Sequence, residues 1–122
     1  MKSGDCVMVP DSGPIDHPGV ILRIEGDMAL VAHGSTQDHP WPLVTVNPGS
    51  RTFGALHLRE TTYFYIKNIR WMKVAVLTKR QGFCPPNFAL ELKKFTEQYA
   101  PGRWDAPAKP VEILKKASNA AE

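Results

Sequence analysis

Hydrophobic residues occur along this chain in short runs separated by segments rich in proline and glycine, a pattern typical of β-strands joined by tight turns. Six segments fit this pattern and are predicted to be strands: residues 6–9, 20–24, 28–32, 43–46, 61–66 and 69–78. The last two are the longest candidates and are rich in β-branched and aromatic side chains. Between the second and third segments, Gly26-Asp27 predicts a hairpin turn.

One helix is predicted after the last strand. It follows Pro85-Pro86, because proline is favoured at the start of a helix, and Asn87 can cap it if the helix begins one residue later. Phe88, Leu92 and Phe95 recur at spacings of four and three residues and therefore share one face. Beyond residue 99 the chain becomes proline-rich, with a helical turn or two predicted at residues 111–117. We expect a domain at residues 1–99 and a Pro/Ala/Lys-rich tail at residues 100–122.

The prediction is therefore a small, strongly bent, mainly β core of five to seven strands with a C-terminal helix. The eleven prolines and nine glycines among 122 residues exclude a helical bundle, because proline inside a helix removes a hydrogen bond and clashes with the preceding turn. A hydrophobic content of 43% with 22% charged residues argues against disorder. No apolar run approaches the roughly 20 residues of a membrane span. Only two cysteines are present and no apolar leader is evident, so we expect a cytoplasmic protein without a membrane partner.

The net charge of +3 is unevenly distributed. Residues 1–37 hold two basic and five acidic residues (−3), residues 38–81 hold seven and two (+5), and residues 82–122 hold six and five (+1). A basic middle third is compatible with a polyanion partner, because Lys and Arg neutralise phosphates and release counterions. It is also compatible with an ordinary solvated face.

No metal or cofactor is predicted. The histidines are scattered, Cys6 and Cys84 form no Cys-x-x-Cys pair, and no glycine-rich phosphate loop occurs. A Cys/His nucleophile pair stays open, although Cys6 lies in an apolar strand, where a thiol is usually inert filling.

Three motifs follow one another along the first third of the chain: Gly4-Asp5 before an apolar strand, His17-Pro18 before a second, and Ser35-Thr36-Gln37 at the end of a third. Residues 41–46, 67–71 and 81–86 then supply a short strand, a polar strand with a central isoleucine, and a glycine-containing entry to the helix. In order and spacing, over about residues 3–98, these motifs resemble the MazF/PemK family of toxin endoribonucleases.

The resemblance implies an SH3-like barrel with a C-terminal helix, of the MazF/PemK/CcdB-like kind, that forms a homodimer. It also implies metal-independent cleavage of single-stranded RNA and an antitoxin-like protein partner. Such cleavage uses the ribose 2′-hydroxyl as nucleophile, so it needs a proton acceptor, a proton donor and groups that stabilise a charged phosphorane. In the family these tasks fall mostly to an arginine before proline and a threonine before Ser-Gln or Thr-Gln. These positions correspond to His17 and Ser35, with Thr36 following.

His17 departs from the family's arginine. Histidine can be an acid or a base near neutral pH, but it lacks the permanent, planar, multi-donor charge of arginine. Either His17 takes over proton transfer while Arg23, Arg70 or Arg80 stabilises charge, or the chain has kept binding and lost catalysis. An ordinary structural role, as a loop residue before a rigid proline, is the third interpretation.

Ser35 and Thr36 keep the hydroxyl of the family motif, although they also have an ordinary interpretation as a strand end held by side-chain-to-backbone hydrogen bonds. His33 lies two residues before Ser35, so both side chains would share one face of a strand. Trp41 is a candidate for stacking on a base, with packing in the core as its ordinary interpretation. The predicted RNA-binding residues are Arg23, Gln37, Trp41, Lys67, Arg70, Lys79 and Arg80.

The tyrosines at positions 63 and 65 alternate with Phe64, which predicts Phe64 in the core and a tyrosine-covered sheet face beside Lys67 and Arg70. Three functions remain open at this point. One is a MazF/PemK-like endoribonuclease, and another is a catalytically inactive SH3-like interaction module, such as a phage or plasmid protein that binds a protein partner. The third is a nonspecific nucleic-acid binder, which rests only on the basic segment.

Overall fold

The computed structural model describes residues 1–10 and 16–106. This part of the chain is mainly β with a helix after the last strand, which confirms the predicted class. The helical turn predicted at residues 111–117 lies outside the described residues. The strands and helices are β1 (Asp5–Val9), β2 (His17–Glu25), β3 (Met28–Ser35), β4 (Leu43–Val46), α1 (Arg51–Ala55), β5 (Thr62–Tyr65), β6 (Arg70–Lys73), β7 (Thr78–Phe83) and α2 (Pro86–Tyr99).

The first four predicted strands are confirmed, and so is the hairpin turn between the second and third. Glu25 pairs with Met28, and Gly26 adopts a φ of 60°, a conformation that glycine reaches without steric cost. The short helix α1 was not predicted; Ser50 is its N-cap, and the Ser50 side chain accepts a hydrogen bond from the Phe53 N–H.

The long strand predicted at residues 69–78 is wrong. A 3₁₀ helix at Val74–Val76 separates β6 from β7, so β2 and β3, with nine and eight residues, are the longest strands described. β6 pairs with β3 whereas β7 pairs with β1, so the chain must turn at Val74–Val76 to reach the other side of the sheet. The sequence does not reveal this 3₁₀ helix, because the segment is rich in β-branched residues, which favour a strand.

All strand pairs are antiparallel, and the sheet runs β4-β5-β3-β2-β1-β7 with β6 paired to β3 beside this path. One edge of β3 is occupied by β2. On the other edge, residues 28–31 of β3 pair with β6, whereas Gly34 and Ser35 pair with β5. The two partners therefore diverge between Val31 and Gly34.

The sheet is strongly curved. In a flat sheet, β6 and β7 would lie four strand spacings apart along β6-β3-β2-β1-β7, about 19 Å at the usual spacing. The five peptide steps from Lys73 to Thr78 span at most about 18 Å when fully extended, and the 3₁₀ helix between them shortens that reach further. The short connection therefore requires the strands to curl around the core.

Side chains on the two faces of this sheet form two core clusters, because successive residues of a strand point to opposite sides. The first cluster contains Phe64 and is covered by Phe88 and Leu92 of α2; the Phe64 and Phe88 rings meet edge to face at 5.1 Å. Phe95 packs against this cluster, so the predicted face of the helix is confirmed. The second cluster consists of Val7, Val9, Ile21, Ala29, Val31 and Leu77.

Helix α2 begins at Pro86, two residues before Phe88, where it would begin if Asn87 were its N-cap. The N-cap is Pro85, which makes no side-chain capping hydrogen bond. Within the described part of the chain, no helix is long and apolar enough to cross a membrane.

The close approach of β3 and β5 at Gly34 yields a stability prediction. A Cβ built on Gly34 would overlap Thr62 Cγ2 and lie 3.2 Å from the Phe64 ring. We expect Gly34→Ala to lower the free energy of unfolding by about 1–3 kcal/mol, the usual cost of overpacking. Urea denaturation would measure the change.

The matched control is Gly54→Ala in α1, where a Cβ meets nothing within 4 Å. Alanine is favoured over glycine in a helix by about 0.5–1 kcal/mol, so this variant should be neutral or more stable. Equal unfolding free energies for the two variants would contradict the tight contact at Gly34.

Candidate functional site

A cleft of about 540 Å³ opens where β5 and β6 diverge from β3. Its walls come from the start of β2, the end of β3 and the loop that follows, the end of β5, and the 3₁₀ helix Ile66–Asn68 with the start of β6. Seven of the ten predicted site residues line it: His17, Ser35, Thr36, Gln37, Trp41, Lys67 and Arg70.

The β2–β3 ladder places two histidines and a serine together. Gly19 pairs with His33, so His17, two residues before Gly19, lies on the same face as His33 and next to it. The two imidazole rings meet edge to face, with centroids 5.3 Å apart and planes at 86°. Ser35 lies two residues beyond His33 and lines the same cleft, in agreement with the shared face predicted for the pair.

The Ser35 hydroxyl also shapes the backbone that leaves β3. Its Oγ accepts a hydrogen bond of 3.1 Å from the Gln37 N–H. A serine hydroxyl that accepts one such bond keeps its own hydrogen to donate. The ordinary strand-end role and a donor role toward a ligand are therefore compatible at this residue.

Tyr65 anchors the loop on the far side of the cleft. Its hydroxyl donates to the Gln37 carbonyl and accepts from the His39 N–H, both at 2.5 Å. The ring is 1% exposed, and Phe64 is buried as well. The tyrosine-covered face predicted from the alternation is therefore wrong at Tyr65, which belongs to the interior because β5 is covered on both sides.

Trp41 is held between two other side chains. The His39 ring stacks on it at 4.3 Å with planes 26° apart, and Lys67 Nζ lies 3.1 Å from the indole centroid. An ammonium this close to the ring leaves no room for an imidazole on the same side, so the two groups occupy opposite faces. Trp41 is 39% exposed, yet neither of its faces is open to a base while both neighbours stay in place.

Hydrogen bonds from Arg103 hold the backbone that carries Lys67 and Arg70. Arg103 Nη1 donates to the carbonyl oxygens of Lys67 and Ile69, at 3.3 and 2.7 Å. Arg23 Nη1 in turn donates to the Trp104 carbonyl at 3.0 Å. The first residues beyond position 99 thus pack against the strands and support one wall of the cleft.

Three predicted RNA-binding residues lie outside the cleft lining. Arg23 contacts the Trp104 carbonyl and the exposed Glu25 carboxylate. Lys79 lies 3.9 Å from the Asp5 carboxylate. Arg80 donates to the carbonyl oxygens of residues 56 and 57, just after α1. Each of these cations has a structural partner elsewhere, and the topology places all three away from the divergence of β5 and β6.

The cleft also contains residues that were not among the predicted site residues, notably Asp16, His33, Tyr65 and Asn68. The sequence did give a signal for His33, because its spacing of two from Ser35 places both side chains on one face of a strand. The Tyr65 hydroxyl contacts His39 and Gln37, which lie 26 and 28 positions earlier in the sequence. No local sequence pattern could predict these contacts.

Both cysteines lie in the core and away from the cleft. Burial raises the pKa of the Cys84 thiol to about 12, and the neighbouring Cys6 adds to the shift. Burial also raises the pKa of Cys6. Because the thiolate is the nucleophilic form, a raised pKa makes both thiols poor nucleophiles, and their role is to fill the core. Among residues 1–10 and 16–106, no group of three or more His, Cys, Asp or Glu side chains could hold a metal ion.

No protein-family model, curated protein or solved structure matches this chain. The geometry of the cleft and the motifs that line it are therefore the basis for a proposed function.

The Tyr65 hydroxyl predicts a local effect on the loop after β3. Tyr65→Phe removes one donor and one acceptor while keeping the ring, so we expect a loss of about 1–3 kcal/mol of unfolding free energy. The amide of His39 should exchange with solvent faster, which hydrogen exchange measured by NMR would show.

Tyr63→Phe is the matched control, because the Tyr63 hydroxyl makes no hydrogen bond within the described residues. It should leave both the stability and the exchange of the His39 amide unchanged. The anchoring role of Tyr65 is refuted if both variants behave alike.

The raised thiol pKa values predict chemically silent cysteines. With a pKa of about 12, about one Cys84 thiol in ten thousand is ionised at pH 8. Iodoacetamide at pH 8 should leave the native protein unmodified over a period in which the urea-unfolded protein takes up two labels, as mass spectrometry would count. A native thiol that reacts as fast as the unfolded chain would contradict this.

Proposed function

We propose that this protein binds single-stranded RNA in the cleft and cleaves it without a metal ion, by attack of the ribose 2′-hydroxyl, in the manner of a MazF/PemK-like toxin. The observation that carries the proposal is the convergence of imidazole, hydroxyl, cationic and aromatic side chains on one cleft, although they come from segments far apart in the sequence. The strong curvature of the sheet supports the further proposal that it closes as an SH3-like barrel.

The chemistry needs three kinds of group, and the cleft contains each of them. The 2′-oxygen forms a bond to phosphorus as its proton leaves, and the bond from phosphorus to the 5′-oxygen breaks as that oxygen gains a proton. His17 transfers a proton, and Ser35 with Thr36 donates hydrogen bonds to the phosphorane oxygens. The products are a 2′,3′-cyclic phosphate and a 5′-hydroxyl.

Lys67 and Arg70 supply the fixed positive charge that His17 does not. Both are exposed, both line the cleft, and Arg70 is the first residue of β6. Arginine stays charged at every physiological pH and can hold two phosphate oxygens at once. This division of roles separates proton transfer from charge stabilisation, which the family's arginine would combine.

Lys67 and Trp41 link phosphate binding to base binding in this proposal. A phosphate that draws Lys67 Nζ away from the indole ring uncovers one face of Trp41. A base can then stack on that face, an interaction worth about 1–3 kcal/mol in proteins that bind single strands. The contact between Lys67 and Trp41 thus keeps an apolar face covered until RNA arrives.

The proposal includes a homodimer, a cytoplasmic location and an antitoxin-like partner that occupies the same cleft. An acidic peptide would suit Lys67 and Arg70. The second candidate is a catalytically inactive interaction module on the same fold, which the histidine at the position of the family's arginine favours. A protein that binds RNA and never cleaves it would fit this second candidate.

The test is cleavage of labelled single-stranded RNA in the presence of EDTA. We expect fragments that end in a 2′,3′-cyclic phosphate, with the rate reduced about 100-fold or more in His17→Ala and in Ser35→Ala, the usual effect of removing a group used in proton transfer or charge stabilisation. Mass spectrometry of the fragments identifies the end group.

The control is His57→Asn. His57 is exposed, lies outside the cleft lining and has a φ of 53°, which asparagine tolerates. It should cleave like the wild type. Intact RNA at high protein concentration would overturn the endoribonuclease proposal, and RNA binding under the same conditions would favour the inactive module.

A further inference from the structure

We propose that His33 is a second catalytic residue and that His17 and His33 divide the two proton transfers of RNA cleavage between them. This inference rests on the proposed function, since it concerns the same cleft and the same reaction. Neither the family motif nor the predicted site residues assign a role to His33. The geometry of the β2–β3 ladder carries the proposal.

The register of β2 and β3 places the two imidazoles next to each other. His33 is directly opposite Gly19, and His17 lies diagonally across from it on the same face. The residue opposite His33 is a glycine, and a Cβ there would lie 2.7 Å from Val9 Cγ2, so a larger residue would force its neighbours to shift. The ring of His33 therefore has no side chain opposite it and meets His17 edge to face at 5.3 Å.

The reaction gives such a pair two separate tasks. The attacking 2′-oxygen and the departing 5′-oxygen lie on opposite sides of phosphorus, so a single imidazole in one position serves only one of them well. One neutral imidazole accepts the 2′ proton as the O2′–P bond forms. The other, protonated imidazole gives its proton to O5′ as the P–O5′ bond breaks. The two rings have then exchanged protonation states, and solvent restores them.

Charged side chains from several elements line the cleft around the pair. Two imidazolium rings in contact repel each other, and Lys67 from the 3₁₀ helix and Arg70 from β6 add positive charge to the same cleft. Asp16, just before β2, adds a carboxylate to the described lining of the cleft. His39 and Tyr65 also line the cleft. The Tyr65 hydroxyl accepts a hydrogen bond from the His39 backbone N–H, and the His39 ring stacks on Trp41.

His33 also has an ordinary interpretation, as a mostly buried side chain that packs at the end of a strand; it is 8% exposed. A packing role and a catalytic role differ in what they do to the pH dependence of the reaction. A structural histidine affects stability and leaves the shape of the pH–rate profile unchanged.

The experiment compares wild type, His17→Gln, His33→Gln and the control His57→Asn on two kinds of substrate. The first is a mixed-sequence RNA oligonucleotide. The second is a set of nucleoside 3′-(4-nitrophenyl phosphates), whose leaving group departs without a proton. Rates are measured from pH 4.5 to 9, and circular dichroism checks that each variant is folded.

We expect a bell-shaped profile for the wild type and for His57→Asn on RNA. His17→Gln and His33→Gln should each lose about 100-fold or more in rate and one limb of the bell. The nitrophenyl esters should restore one of the two variants to near the wild-type rate and leave the other slow, which identifies the proton donor and the proton acceptor.

Wild-type cleavage with an unchanged rate and profile in His33→Gln would overturn the role of His33 and leave the proposed function standing. Restoration of both variants, or of neither, would overturn the division of roles. Absence of cleavage by the wild type would instead overturn the proposed function itself. If His33→Gln fails to fold, His33→Ala assayed with added imidazole replaces it, and a folded variant that imidazole does not restore counts against the proposal.

Discussion

The candidate site depends on the way β3 shares one of its edges between two strands. β6 takes residues 28–31 and β5 takes Gly34 and Ser35, so the backbone between them has strand neighbours on the β2 side only. A sheet that kept one partner along the whole of β3 would fill this space with main chain. The divergence leaves a cleft there, and its walls are the residues at which the two partners leave β3.

The divergence is maintained by contacts on both of its sides. On the β5 side, Gly34 lets β5 approach closely, and the Tyr65 hydroxyl ties the loop after β3 to the end of β5. On the β6 side, Arg103 fastens the carbonyl oxygens of Lys67 and Ile69, the residues that lead into β6. Three of these hydrogen bonds, the two of the Tyr65 hydroxyl and the one to the Ile69 carbonyl, use partly buried groups, for which an unmade bond is costly. The cleft is thus formed by the fold itself, because contacts within the protein hold both of its walls in place.

The elements that could be predicted from the sequence are those determined by neighbouring residues. β1 to β4, the turn at Gly26 and the face of α2 follow from alternation, turn chemistry and helical spacing, all of which act within a few positions. The break at Val74–Val76 could not be predicted, because it arises from strand pairing that is distant in the sequence. β6 pairs with β3 and β7 pairs with β1, so the chain must turn between them. The same limit applies to the site. Motifs brought His17, Ser35 and Thr36 to attention, whereas the contacts that remove Arg23, Lys79 and Arg80 from the cleft lining are long-range or depend on the register of the strands.

His17 occupies the position at which the resemblance to the MazF/PemK family would place an arginine, and this difference has another meaning once the cleft is known. From the sequence alone it is a loss, because an imidazole cannot hold a phosphate with a permanent fork of donors. In the structure, Lys67 and Arg70 line the same cleft, so positive charge is present without the family's arginine. His17 also meets His33, a contact that an arginine side chain would not reproduce. Under the proposed function, His17 does not need to bind phosphate and is available for proton transfer. The edge-to-face contact between the two imidazoles, more than either residue alone, is therefore the feature of the cleft that supports the proposal of an active site.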